Sequence, residues 1–288
     1  MGDMERINGI PTRVLGSTGV RVTVLCVGGY HIGKPGAREI GERIIRTAID
    51  EGINFLDNAW CYNSGVSEEI MGRALRDGYR DKVFLMTKNH GRDAETYARQ
   101  LEESLRRLQT EMIDLVQFHE INDDGIPGRI FGEGAIEAAL KAREAGKIRF
   151  IGFTGHRWPH LHLEMLGHDF PWDTVQCPIN LLDAQFRSFS QRVLPVLKTR
   201  GIGAIGMKSL AGGNLTDTGV SAEDAIRYVL SQPIDSLVTG LDSLDVLAKN
   251  LATARNWTPM SDEEQQRLLD QTEPFAGDLG IEHYKKSA

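Results

Sequence analysis

Four polar side chains in this sequence stand where an apolar run ends or has just ended. Asp57 closes Asn54-Phe55-Leu56-Asp57, Lys88 closes residues 83–88, and His119 closes residues 113–119. Tyr62 follows Asp57 by five residues. Together they suit delivery of a proton to an oxygen that gains charge. A carbonyl accepting hydride becomes an alkoxide and needs a proton. A tyrosine hydroxyl can supply it, although its ordinary pKa of about 10 is high for work at neutral pH. A neighbouring Lys88 ammonium would stabilise the phenolate and lower that pKa. Asp57 would keep Lys88 charged and in place. His119 would donate a hydrogen bond to the substrate oxygen and orient the carbonyl. Each residue taken singly has a plainer reading: a helix cap for Asp57, a solvated charge for Lys88, packing for Tyr62, a satisfied core histidine for His119. Their coincidence at successive strand ends favours chemistry.

The elements that must position them are legible from periodicity. Short runs rich in Val, Ile, Leu and Phe occupy residues 22–29, 54–59, 83–88, 113–119, 150–154, 174–178, 203–208 and 236–240. Amphipathic stretches at helical spacing separate them, at 38–52, 94–109, 134–146, 191–200, 221–231, 244–255 and 262–270. Alternation of this kind predicts parallel βαβ units with right-handed crossovers. Eight short strands, with no Gly-x-Gly-x-x-Gly after the first, favour a closed (β/α)₈ TIM barrel over an open doubly wound sheet. Upstream, residues 10–15 and 20–23 flank Gly16-Ser17-Thr18-Gly19 and predict an N-terminal β-hairpin that plugs the barrel floor. Nothing reads as an interdomain linker, so residues 1–288 are expected to form one domain. On this frame the ends of strands two, three and four converge on the top face, where barrel enzymes place chemistry.

Composition narrows the classes. Of 288 residues, 41% are hydrophobic and 25% charged, the balance of an ordinary globular chain. A net charge of -7 argues against a nucleic-acid partner. The opening residues carry no long apolar run, which predicts neither a signal peptide nor a membrane anchor. Cys26, Cys61 and Cys177 form no CxxC pair, and reduced thiols in a cytoplasmic protein are expected.

These residues carry a resemblance to the aldo-keto reductases. Residues 52–69, around Asp57 and Tyr62, resemble that family's signature. Thr87-Lys88 resembles its lysine motif and residues 114–119 its histidine motif, while residues 146–154 resemble its entry into strand five. The resemblance implies a barrel, a catalytic Asp57–Tyr62–Lys88–His119 tetrad, a small carbonyl substrate and NADPH or NADH as cofactor. It further implies cofactor contacts from Gly29, Tyr30 and Asp57, from Thr154 where the family usually has Ser, and from Gln176 on the nicotinamide amide. Met207 stands where many members stack a Tyr, and Gly155 where an Asn is usual. Lys208 and the glycine-rich stretch around Gly212 would approach phosphate. Gly240 and Asn250 bound a segment resembling the adenosine site. The basic residue for a 2′-phosphate would fall near Val246, with Asp242 close by, which leaves the choice between NADPH and NADH open.

Two other classes compete. A metal-dependent barrel hydrolase or lyase would draw ligands from Asp57, His90, His119, Glu120 and His156. Against it, His119 and Glu120 are consecutive and on a strand would face opposite ways. No resident metal is therefore expected. A non-catalytic cofactor sensor is the third class, and the intact tetrad opposes it. His31, His90 and His156 follow predicted strands and could line a substrate pocket.

Overall fold

The structure, a computed structural model, describes residues 5–286. Eight parallel strands close a barrel in sequence order: β4 (Leu25–Gly28), β5 (Phe55–Asp57), β6 (Phe84–Asn89), β7 (Ile113–Phe118), β8 (Ile148–Thr154), β9 (Thr174–Pro178), β10 (Gly203–Met207) and β11 (Ser236–Gly240), which returns to β4. Such strands are covered on both faces, which is why they read as near-continuous apolar runs. Ahead of them β1 (Arg6–Ile7), β2 (Ile10–Val14) and β3 (Arg21–Thr23) form a small antiparallel sheet.

That sheet seals the floor. Leu15 and Val22 join Cys26, Phe55, Phe84, Met86, Leu115 and Ile205 in one buried cluster inside the cylinder. The turn between β2 and β3 is pinned from below. Gly16 N donates to Asp235 Oδ2 at 3.0 Å, and Ser17 N to the Gly201 carbonyl at 2.8 Å. Gly16 has a φ of +50°, and a Cβ there would lie 2.3 Å from Gly203 N, so this contact demands glycine.

The helices are α1 (Gly29–Ile32), α2 (Arg38–Asp50), α3 (Val66–Ala74), α4 (Ala94–Leu108), α5 (Ile126–Gly132), α6 (Ala135–Glu144), α7 (Pro159–Gly167), α8 (Phe189–Arg192), α9 (Leu194–Arg200), α10 (Ala222–Leu230), α11 (Leu244–Asn256) and α12 (Asp262–Thr272). The longer ones follow the predicted periodicity. In α2 the buried stripe is Gly41, Ile44, Ile45, Ala48 and Ile49. Side-chain caps start five of the helices: Asp93 for α4, Ser188 for α8, Ser221 for α10, Ser243 for α11 and a Ser261–Glu264 capping box for α12.

Some boundaries differ from the periodic reading. The run 22–29 divides, because Val22 and Thr23 pair with β2 while Leu25 enters the barrel and Gly29 opens α1. The stretch 191–200 splits at Val193, since Pro195 has no N–H to continue a ladder from α8. The short helices α1, α3 and α5 have no counterpart in the periodic reading; few of their turns repeat an apolar stripe. Among the described residues, no helix is long and apolar enough to cross a membrane.

Candidate active site

Register sets the site. Asp57 pairs with Met86, and Lys88 with Gln117, so the ends of β5, β6 and β7 are stepped side by side. Beyond β5 the chain stays on its neighbour: Asn58 N donates to the Met86 carbonyl at 2.9 Å and Trp60 N to the Lys88 carbonyl at 3.0 Å. A 3₁₀ turn over Tyr62–Gly65 then folds the phenol back over the barrel mouth, with Asn63 and Ser64 at φ values of 50° and 57°. Asn63 Nδ2 fixes the turn by donating to the Tyr30 carbonyl at 2.7 Å.

Lys88 is the hub. Its ammonium donates to Asp57 Oδ1, to the Asn58 carbonyl at 2.8 Å and to Tyr62 Oη at 3.3 Å. Lys88 is 1% exposed, Asp57 2% and His119 2%. Asp57 is therefore not a helix cap; its carboxylate neutralises a buried cation. Burial pushes the Asp57 carboxyl up, opposed by Lys88 and by hydrogen bonding from Lys88 and Gln176. Burial alone would lower Lys88, but Asp57 and Tyr62 outweigh it and hold the ammonium above its ordinary value. The net shift of Tyr62 reverses the expectation. Burial pushes it up to about 12, with Lys88 pulling the other way and Asp57 adding to the rise. The phenol is thus firmly protonated, the form that can give a proton.

His119 lies just past β7, its N–H donating to the Asn89 carbonyl at 2.9 Å. Its Nδ1 is 2.7 Å from His90 Nε2 and 3.6 Å from Cys61 Sγ. Its ring meets Tyr62 edge-on at 5.7 Å between centroids. Burial, then Lys88 and His90, holds His119 well below the usual histidine range, so it is neutral. Arg92 bonds the carbonyls of His119 and Glu120, and Glu120, at φ 55°, holds Oε2 3.9 Å from His90 Nε2. Of the ligand pool named for a metal hydrolase, His90 and His119 come together with Glu120 beside His90, joined by Cys61, which the pool did not include, while Asp57 is committed to Lys88.

Across the mouth, Thr154 pairs with Gln176 at the ends of β8 and β9. Thr154 Oγ1 and Gln176 Oε1 are buried without a hydrogen-bond partner among the described residues. Two buried polar atoms left open side by side call for a polar ligand. Met207 is buried beside them, opposite Pro178, and Lys208 follows at φ 62° with its ammonium 5.4 Å from the Tyr284 ring. Gly29 opens α1 against the Asp57 carbonyl, and Tyr30, 45% exposed, meets Tyr62 edge-on. Gly240 abuts the His31 ring, Gly212 sits in a 3₁₀ segment under His283, and Asn250 is buried on α11.

Comparison with known proteins agrees with this architecture. Residues 24–228 match the Aldo/keto reductase family. The chain belongs to the aldo-keto reductases. It is 32% identical over 229 residues to L-galactose dehydrogenase of Arabidopsis thaliana, covering 73% of this chain and 68% of that protein. L-glyceraldehyde 3-phosphate reductase of Escherichia coli O157:H7 is 26% identical over 93% of this chain and 80% of its own. Among solved structures, the holo form of an aldo-keto reductase from Bacillus halodurans superposes with a TM-score of 0.75 at 23% identity, covering 91% of this chain and 96% of that one. Membership makes the chain an NAD(P)-dependent oxidoreductase.

Within the family frame, several contacts escaped the sequence reading. Asn58 supplies a carbonyl to Lys88. The C-terminal segment docks on the top face, where Asn180 Nδ2 donates to Tyr284 Oη at 2.8 Å and Lys285 sits buried between Asp183 (3.2 Å) and Glu282 (3.1 Å). Tyr284 faces the His156 ring at 6.2 Å. A polar tail carries no apolar period, so periodicity gave no signal there.

Proposed function

We propose that this aldo-keto reductase reduces carbonyl groups of small aldehydes or ketones to alcohols, with Tyr62 as proton donor. The observation that carries the reading is the single ammonium of Lys88 touching both the Asp57 carboxylate and the Tyr62 hydroxyl. Asp57 keeps Lys88 cationic. Lys88 in turn stabilises the phenolate left when Tyr62 gives up its proton. His119, neutral and edge-on to Tyr62, orients the carbonyl oxygen toward the same point.

The open atoms of Thr154 and Gln176 fit a nicotinamide carboxamide, which offers both a donor and an acceptor. Met207 would pack on the ring face. Gly29, Tyr30 and Asp57 would line its other side, Lys208 and the Gly212 backbone would meet phosphates, and Gly240 and Asn250 would flank the adenosine. The bound nicotinamide supplies the hydride. At the adenosine end Val246 is flanked by Asp242 and Asp245, and Lys249 is paired with Asp245 at 2.7 Å. Acidic groups there disfavour an added phosphate, so NADH should bind at least as well as NADPH. The three cysteines are free, which suits a reducing compartment. Residues 1–288 are read as one domain.

Tyr62→Phe tests the assignment. Fluorescence titration should give near-normal Kd values for NADH and NADPH, while steady-state reduction of a panel of hydroxyaldehydes falls by about 10²-fold or more. The names of the plant and bacterial relatives make hydroxyaldehydes the first substrates to try. Carbonyl reduction by the variant at the wild-type rate would refute the donor role.

A further inference from the structure

Cys61, His90 and His119 bring a sulfur and two ring nitrogens within 4.8 Å of one another. They come from three neighbouring strand ends, after β5, β6 and β7. From this geometry we infer that the triad is a binding site for a borderline-soft divalent cation, Zn²⁺ above all, whose occupancy blocks the enzyme. The binding part stands apart from the reductase reading; the blocking part rests on it.

The spacing suits zinc. With Zn–S of about 2.3 Å and Zn–N of about 2.0 Å, a tetrahedral ion separates sulfur and nitrogen by about 3.6 Å. Cys61 Sγ and His119 Nδ1 are 3.6 Å apart. His90 Nε2 and His119 Nδ1, now hydrogen bonded at 2.7 Å, must part by roughly half an ångström. His90 can yield, since its side chain is partly exposed on the loop after β6. Glu120 Oε2 lies 3.9 Å from His90 Nε2 and can close the fourth position, with water as the alternative. A thiolate and two imidazoles select zinc over magnesium, which prefers oxygen.

The protons balance. Whichever ring nitrogen holds the proton shared by His90 and His119 passes it to the other nitrogen of its own ring, at no net loss. Cys61 loses its thiol proton to solvent as the S–Zn bond forms. Lys88, the nearby cation, is neutralised by Asp57 and adds little repulsion. Once bound, the ion holds the His119 ring by Nδ1 and fills the space beside Tyr62, so the imidazole no longer moves to meet a carbonyl.

Isothermal titration of the EDTA-dialysed protein with ZnCl₂, with neither nicotinamide nor carbonyl present, should show one equivalent bound. Cys61→Ser and His90→Gln should each weaken it by roughly tenfold or more, while His160→Gln, remote from the triad, should not. CoCl₂ should give a near-ultraviolet thiolate charge-transfer band that Cys61→Ser abolishes. Zn²⁺ should also inhibit carbonyl reduction by the wild type, reversibly by EDTA, and much less in Cys61→Ser. Circular dichroism checks that each variant is folded. Unchanged zinc affinity in folded Cys61→Ser and His90→Gln, or a cobalt spectrum without the sulfur band, overturns the site.

Discussion

A side chain at position 155 would have nowhere to go. A Cβ on Gly155 would lie 2.5 Å from the Ile121 carbonyl oxygen, because the chain after β7 folds across the end of β8 and donates Ile121 N to the Thr154 carbonyl at 2.9 Å. The loop as folded here has no room for the Asn that the family resemblance would put at this position. Gly155→Asn should lower stability by about 1–3 kcal/mol through overpacking and leave NADH affinity no better; chemical denaturation and fluorescence titration check both. The pH dependence also belongs to this scale. A proton donor works below its pKa and fails as pH rises through it. With Tyr62 raised to about 12 by burial and His119 held neutral, kcat/KM for reduction should stay flat between about pH 6 and 9. A pronounced fall within that window would contradict the assignment. The meeting of Asp57, Tyr62, Lys88 and His119 was legible because strand ends are legible. The sign of the Tyr62 shift was not, since burial depends on how the loop closes over it, and no residue type reports that.

Among the elements, the C-terminal segment departs most from its appearance. Residues 281–286 read as a charged tail, yet Glu282 and Lys285 are wholly buried. Lys285 bonds Asp183 and the Phe186 carbonyl, while Asp183 accepts from the N–H groups of Phe189 and Ser190 at the start of α8. Removing the cation strands two buried carboxylates. Lys285→Ala should cost about 3–5 kcal/mol, seen as a lower urea midpoint and as faster proteolysis of the tail; an unchanged midpoint would show the triad to be idle. Periodicity finds elements that bury an apolar stripe. It passes over segments anchored by ions, which is why α12 was legible and the docked tail after it was not.

For the whole molecule, eight apolar runs separated by amphipathic stretches were enough to read a closed barrel. Closure itself rests on side chains that fill the cylinder. Leu15, from outside the barrel, is fully buried among Phe55, Phe84, Met86, Leu115 and Ile205. Leu15→Ala should destabilise the fold by about 2–5 kcal/mol through lost burial and the cavity left behind, with little change in kcat, because the site lies at the opposite end. Equilibrium unfolding beside steady-state kinetics separates the two effects. Loss of activity without loss of stability would place Leu15 in a role its position does not suggest.

The floor sheet also imposes an order of events during synthesis. Its residues leave the ribosome before the barrel strands, but Gly203 and Asp235, against which Gly16 rests, are made 187 and 219 residues later (203 − 16 and 235 − 16). At ~5–20 residues per second, Leu15 and Val22 wait roughly ten to forty seconds for their seat. Through that interval the nascent chain carries an unsatisfied greasy surface, open to water until β10 is made.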